Sequence, residues 1–241
     1  MSPTAPVKVL LFDVFGTVVD WRSSLVTTFE PWGRRNGFSV DWSAFVDAWR
    51  AAYMPSLMEL RKTAPQPFPT LDQLHRQSLD RMLVDGPLAQ ATTTDREFLV
   101  KAWHQLNGWP DARPALQRLN KRFVVAPLSN ANTSLLVTLA KFAELEWDCV
   151  FGADMFQRYK PDRELYLGAA RLLDVEPEQV MMVAAHNNDL RAARAYGLQT
   201  CFIPRRREFG PQQTVDLEAE ENWTIVANDM LDLADRLGCY G

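Results

Sequence analysis

The segment Val7 to Asp20, VKVLLFDVFGTVVD, opens with an apolar run rich in Val and Leu that breaks at Asp13. A run without alternation of apolar and polar positions predicts a strand buried on both faces. Gly16 and Thr17 follow, and suit a tight turn leaving a sheet. The period then changes. Between Asp41 and Arg61, the residues Trp42, Phe45, Val46, Trp49, Tyr53, Leu57 and Leu60 fall on one helical face. The stretch Ala64-Pro65-Gln66-Pro67-Phe68-Pro69 interrupts this pattern as a loop. Leu71 to Val84 and Asp95 to Leu106 predict further helices, each opening near a capping residue. No strand signal occurs between residues 20 and 100, so this region is expected to be all helical.

From Arg113 onward the two periods alternate. Helices are predicted over Arg113 to Arg122, Thr133 to Phe142, Asp162 to Leu173 and Arg191 to Tyr196. Strands are predicted over Phe123 to Leu128, Asp148 to Phe151, Val180 to Ala185 and Thr200 to Ile203. Pro161 is placed to begin the third of these helices and Gly197 to stop the fourth. Repeated strand–helix units imply an α/β protein with a Rossmann-like, doubly wound parallel sheet and helices on both faces. Residues 1–19 and 108–241 would form this core. Residues 20–107 would form an inserted all-helical cap domain over the carboxyl edge of the sheet.

At 241 residues, 47% hydrophobic, the chain can bury one large core or a core plus an insert. Its 26 Lys and Arg against 30 Asp and Glu give a net charge of −4. That balance argues against a nucleic-acid partner and leaves room for a local cationic pocket. The run Arg205-Arg206-Arg207 reads as a solvated loop rather than a phosphate clamp. Cys149, Cys201 and Cys239 lie far apart and indicate neither a disulfide framework nor a zinc site. No signal sequence or membrane-spanning run is evident, so a cytoplasmic protein without a membrane partner is expected.

Four strand ends or following loops carry polar side chains: Asp13 with Thr17, Ser129 with Asn130, Lys160, and His186 to Asp189. In open α/β sheets such loops converge on one crevice. A carboxylate, a hydroxyl, an amide, an ammonium and a second carboxylate together make a site for covalent catalysis. Singly, each has a structural explanation: Asp13, Ser129 and Asn130 could cap turns or helices, and His186 could fill the core.

In this order the motifs DVFGT, LSN, YKPD and VAAHNNDL resemble those of the haloacid dehalogenase superfamily, over nearly the whole chain. Most of that superfamily are phosphatases. In them a second Asp, two residues after the nucleophile, protonates the leaving alcohol and helps hold magnesium. Phe15 stands there in this chain, and the last motif offers only Asp189 of the metal-binding acids. A halide needs no proton to leave. The resemblance is therefore to the L-2-haloacid dehalogenases, with no metal and no cofactor. The pair Trp49-Arg50 matches the one with which those enzymes bind halide. Arg34 and Arg35, in a turn-like stretch near Gly33 and Gly37, are weaker candidates.

The resemblance implies a hydrolase acting on a small 2-haloacid. Asp13 would attack C2 in line, giving an aspartyl ester and free halide. Thr17 would orient Asp13, and Lys160 would balance its charge. Arg50 and Asn130 would take the halide. Ser129 and the backbone N–H groups of Val14 and Phe15 would hold the substrate carboxylate, with Tyr166 near the substrate. Asp189 would position water, which releases a 2-hydroxyacid of inverted configuration. Such enzymes carry Ser and Asn where this chain has Ala184 and His186, so water handling must differ, with His186 a donor or a second base. The Ala-Ala-His sequence resembles a fluoride-removing group, which makes fluoroacetate a candidate substrate. The same resemblance implies a homodimer. The aromatic face of Trp42, Phe45, Trp49 and Tyr53 is read as packing the cap's own core. The rival readings are a phosphatase with an unusual metal site, a non-catalytic relative, and a covalent enzyme for a non-halogenated substrate.

Overall fold

Every residue of the first strand, β1 (Val9–Phe12), is buried, as its unbroken apolar run requires. The computed structural model describes residues 5–63, 67–86 and 88–241, and the side chains of all of these except 61–63. Leu10 and Phe12 pack on one face of the sheet, and Val9 and Leu11 on the other. A fully buried Val, Leu or Phe contributes roughly 1.5–3 kcal/mol, which fixes β1 at the centre. It pairs in parallel with β2 (Val124–Ser129) on one side and β4 (Val180–Ala184) on the other. With β3 (Phe151–Gly152), β5 (Gln199–Phe202) and β6 (Ile225–Val226) the strands form a six-stranded sheet, ordered β3-β2-β1-β4-β5-β6. All five pairings are parallel. The chain builds outward on one side of β1 and then on the other. The order therefore reverses beside β1, and the crevice opens at the carboxyl ends of β1 and β4.

Between β1 and β2 the described chain is helical: α1 (Trp21–Arg35), α2 (Trp42–Ala51), α3 (Tyr53–Thr63), α4 (Leu71–Met82) and α5 (Thr93–Lys101). Side chains start most of these helices. Asp20 accepts from the Ser23 N–H, Asp41 from the Ala44 N–H, and Thr70 and Thr92 form capping boxes with Gln73 and Asp95. The chain leaves the sheet at Val19 and returns at Gly108, and the two residues pair in an antiparallel bridge. Helix α6 (Ala112–Leu119) leads into β2, helices α7 (Thr133–Phe142), α8 (Ala153–Phe156), α9 (Arg163–Leu172) and α10 (Asn187–Ala195) connect the later strands, and α11 (Met230–Arg236) is the last element.

Several elements depart from the expected ones. The helix expected over Asp41 to Arg61 is two helices, broken at Ala52. Pro55 accounts for the break: it has no N–H for the Ala51 carbonyl, and its ring would clash there, so it is tolerated only in the first turn of a new helix. Trp42 and Trp49 are buried with Phe29 and Trp103, as expected of a packed core, with Phe45 and Tyr53 partly buried against it, and Tyr53 lines the crevice as well. Arg34 and Arg35 are the exposed last residues of α1, not part of a turn. β3 starts only at Phe151, because the Asp148 carboxylate caps the β2 edge by accepting from the Val125 N–H at 2.8 Å. The expected loop His186 to Asp189 is the cap and first turn of α10, where Asn and Asp suit the exposed N–H groups. The expected loop residues Ala64, Pro65 and Gln66 lie outside the described residues. Among the described residues no helix is long and apolar enough to cross a membrane.

Candidate active site

Asp13 stands just past the last residue of β1, where the Val183 carbonyl accepts its backbone N–H at 3.0 Å. Three side chains donate to its carboxylate. Lys160 Nζ lies 3.0 Å from Oδ1. Thr17 Oγ1 lies 2.9 Å and His186 Nδ1 3.1 Å from Oδ2. Burial acts to raise the Asp13 pKa, but Lys160 first and His186 next hold it well below the usual carboxylate range. Thr17 is itself fixed, because its hydroxyl oxygen accepts from the Ala185 N–H at 2.9 Å.

His186 is held between two acids. Its Nε2 lies 2.8 Å from Glu208 Oε2, opposite the Nδ1 contact with Asp13. Only the doubly protonated ring donates to both carboxylates; a neutral ring would turn a lone pair toward one of them. Burial disfavours the charge, yet Glu208 and Asp13 together outweigh it and raise the His186 pKa well above its ordinary value. The ring is therefore an imidazolium donor, and its expected alternative role as a base does not suit this setting. Glu208 is 1% exposed and also accepts from Trp21 Nε1 at 3.0 Å. Sequence reasoning missed it. Its one signal is an acid directly after three arginines in a loop. Gly16 makes its seat possible: the backbone there has φ +88°, and a Cβ would stand 2.1 Å from Glu208 Cδ.

On the other side of Asp13, Lys160 Nζ also donates to Asp189 Oδ2 at 2.6 Å, and the buried Tyr166 hydroxyl donates to Asp189 Oδ1 at 2.6 Å. Burial works against the ammonium, but Asp13 and Asp189 together raise the Lys160 pKa. A phosphatase-type magnesium ion does not fit here. Phe15, 7% exposed and edge-on to Trp103, fills the position of its acid, and the Lys160 ammonium fills the space between Asp13 and Asp189. Among the described residues no cluster of three His, Cys, Asp or Glu side chains is arranged to hold a metal.

The cleft above Asp13 encloses about 290 Å³ and is lined by Arg50, Tyr53, Ser129, Asn130, Lys160 and His186, among others. That volume is at the small end for ligand sites. The Ser129 hydroxyl accepts from the Ala131 N–H at 3.1 Å, and no acceptor among the described residues takes its proton. Among the described residues, the backbone N–H groups of Val14 and Phe15 meet no protein acceptor. Arg50, in the last turn of α2, reaches in from the helical side. Its guanidinium carbon lies 4.8 Å from the Tyr53 ring centroid and 5.4 Å from that of Trp21. Its buried Nε has no hydrogen-bond partner, and no carboxylate of the described residues pairs with it. The structure thus brings Asp13, Thr17, Lys160, Asp189, Arg50, Ser129, Asn130, Tyr166 and His186 to one crevice.

Arg205 corrects the expectation of a solvated arginine run. It is 8% exposed, and its guanidinium forks onto Asp111 at 2.9 and 2.8 Å. Its Nε donates to the Thr17 carbonyl at 2.9 Å. Arg205 therefore braces the loop that carries Thr17, and only Arg206 and Arg207 are exposed.

Residues 7–197 match the haloacid dehalogenase-like hydrolase family. The whole fold resembles that of the defluorinating L-2-haloacid dehalogenase Rha0230, with a TM-score of 0.91 and 44% identity over 96% of this chain and 95% of that one. It equally resembles the L-2-haloacid dehalogenase PA0810, with a TM-score of 0.91 and 42% identity over 98% of this chain and 100% of that one. In sequence, (S)-2-haloacid dehalogenase 4A of Burkholderia cepacia is 28% identical over 94% of this chain and 98% of its own.

Proposed function

Because the chain belongs to the haloacid dehalogenase-like hydrolases, we propose that it hydrolyses short L-2-haloacids, fluoroacetate among the candidate substrates, to 2-hydroxyacids through an ester on Asp13. One observation carries this reading: an ionised carboxylate clamped on the floor of a small cleft faces an arginine that no anion of the described residues neutralises. The substrate carboxylate sits on the Ser129 hydroxyl and the free N–H groups of Val14 and Phe15. Asp13 Oδ1 then forms a bond to C2. The carbon–halogen bond breaks on the opposite side, and its electron pair leaves with the halide toward Arg50 and Asn130. Helices of residues 20–107 act as the cap over a core of residues 1–19 and 108–241.

Hydrolysis follows from how the two oxygens of Asp13 are held. Oδ1 becomes the ester oxygen and keeps Lys160 beside it. Oδ2 becomes the ester carbonyl, with Thr17 and the His186 imidazolium already donating to it. When water adds to the carbonyl carbon, negative charge grows on Oδ2, and these two donors stabilise it. Asp189 takes the water proton. Lys160 gives a proton to Oδ1 as the 2-hydroxyacid departs, Asp189 returns one to Lys160 across their 2.6 Å contact, and the water's second proton, left on Asp13, passes to solvent and restores the carboxylate. On this account His186 replaces one donor by a stronger one, and Glu208 keeps it charged. Free cysteines at Cys149, Cys201 and Cys239 suit a reducing, cytoplasmic setting. A homodimer belongs to the same reading, and sedimentation tests it.

The chemistry is tested by halide release in EDTA from chloroacetate, L-2-chloropropionate and fluoroacetate, with Asp13→Asn as the blank. Repeated turnover in ¹⁸O-water should place the label in Asp13, since the product carries away the former Oδ1. Halide release without label in Asp13 would refute the ester.

A further inference from the structure

Tyr53 has no part in the mechanism above, yet it opens α3 at the cleft beside Arg50. Its hydroxyl oxygen accepts from Asn130 Nδ2 at 2.7 Å. The direction of that bond is set from outside. Asn130 Oδ1 accepts from the Lys160 backbone N–H at 2.7 Å, so the amide nitrogen must face Tyr53. A phenol carries one proton. With Nδ2 donating to its oxygen, that proton is free to donate, and no acceptor among the described residues takes it. The ring cannot swing away easily, because the Arg50 guanidinium lies over it.

The in-line requirement says which end of the substrate meets this hydroxyl. Asp13 attacks from the sheet, so the leaving group points toward the helices that carry Arg50 and Tyr53. The substrate carboxylate has its own donors on the sheet side, at Ser129, Val14 and Phe15. Resting on the dehalogenase reading, we infer that Tyr53 donates its hydroxyl proton in a hydrogen bond to the departing halide, and that this third donor favours fluoride over the heavier halides. Fluoride is small and concentrates its charge, so a short O–H donor stabilises it far more than it stabilises diffuse bromide. The proton stays on the phenol throughout. Burial pushes the Tyr53 pKa up to about 12, and the step consists only of the new bond from Asp13 to C2 and the broken bond from C2 to fluorine.

The test is Tyr53→Phe, which keeps the ring and its contact with Arg50 and removes the hydroxyl alone. Single-turnover halide release, with enzyme in excess, is followed for fluoroacetate, chloroacetate and bromoacetate, after the variant is shown by circular dichroism to be folded. Removing one donor to a developing anion costs about 10²-fold or more. Defluorination should fall by that factor, while debromination falls less than about tenfold. A loss equal for all three halides would mark Tyr53 as merely positioning Asn130 and would overturn the inference. So would an unchanged ratio of rates, or a wild type that displaces bromide but not fluoride. If the wild type releases no halide from any of the three, the dehalogenase reading itself fails.

Discussion

Glu208→Gln tests the charge on His186 most directly. In the structure the imidazolium donates from Nε2 to Glu208 at 2.8 Å and from Nδ1 to Asp13 at 3.1 Å. The substitution keeps the shape and removes one of the two negative charges. A hydrogen bond to a charged group is worth about 1.5–3 kcal/mol, and one pKa unit is about 1.36 kcal/mol. The His186 pKa should therefore drop by about 1–2 units. The sign for stability follows from its raised value. The stabilisation from the His186 charge is complete below the ordinary histidine range and is lost as pH rises through the folded value. In Glu208→Gln that loss moves to lower pH, and the alkaline limb of kcat/KM moves with it. NMR titration of the imidazole resonances reads the shift directly. His75, which burial holds down at about 3, serves as a ring that stays neutral, and His186→Asn assigns the signal. A wild-type His186 titrating at or below the ordinary value of 6.5 would refute the reasoning, as would a variant whose titration does not move.

Two further substitutions probe the supports of the site. Gly16→Ala would place a Cβ 2.1 Å from Glu208 Cδ at φ +88°; it should cost at least about 1–2 kcal/mol from backbone conformation alone and lower the His186 pKa as Glu208→Gln does, read by urea unfolding and the same titration. Arg205→Met takes from Asp111 its cation where the two side chains are only 8% and 12% exposed, and leaves it the Met230 N–H alone, at 2.8 Å; breaking such a pair should cost about 3–5 kcal/mol, read in the same unfolding assay.

The sheet was largely legible because its strands are buried on both faces. Unbroken runs such as VLLF and VMMVA admit few other readings, and the residues that end them are the ones the crevice collects. What sequence reasoning missed has local causes. Pro55 carries the signal for the break between α2 and α3, but the apolar periodicity runs on across it and masks it. Glu208 gave almost no signal, since its importance comes from Gly16 and His186, 192 and 22 positions away in the chain. Arg205 looks like its two exposed neighbours until the fold brings Asp111 and the Thr17 carbonyl to it. Long-range partners of a single buried charge leave no periodic trace, whereas strands and amphipathic helices do.

In the proposed mechanism, the charges of the cleft account for how the strongly clamped Asp13 carboxylate attacks. Glu208, His186, Asp13, Lys160 and Asp189 form a chain in which anions and cations alternate. Each cation touching Asp13 also holds a second carboxylate, so its pull on the nucleophile is divided. Asp13 stays ionised and aimed, without being stabilised by two undivided positive charges. Among the described residues Arg50 has no such partner. In the proposed displacement, one negative charge moves from Asp13 across C2 to the halide. It leaves cations whose fields are shared and arrives at one whose field is not. The site therefore stabilises the moving charge more at the end of the step than at its start, which is the condition for lowering a barrier rather than merely binding a substrate.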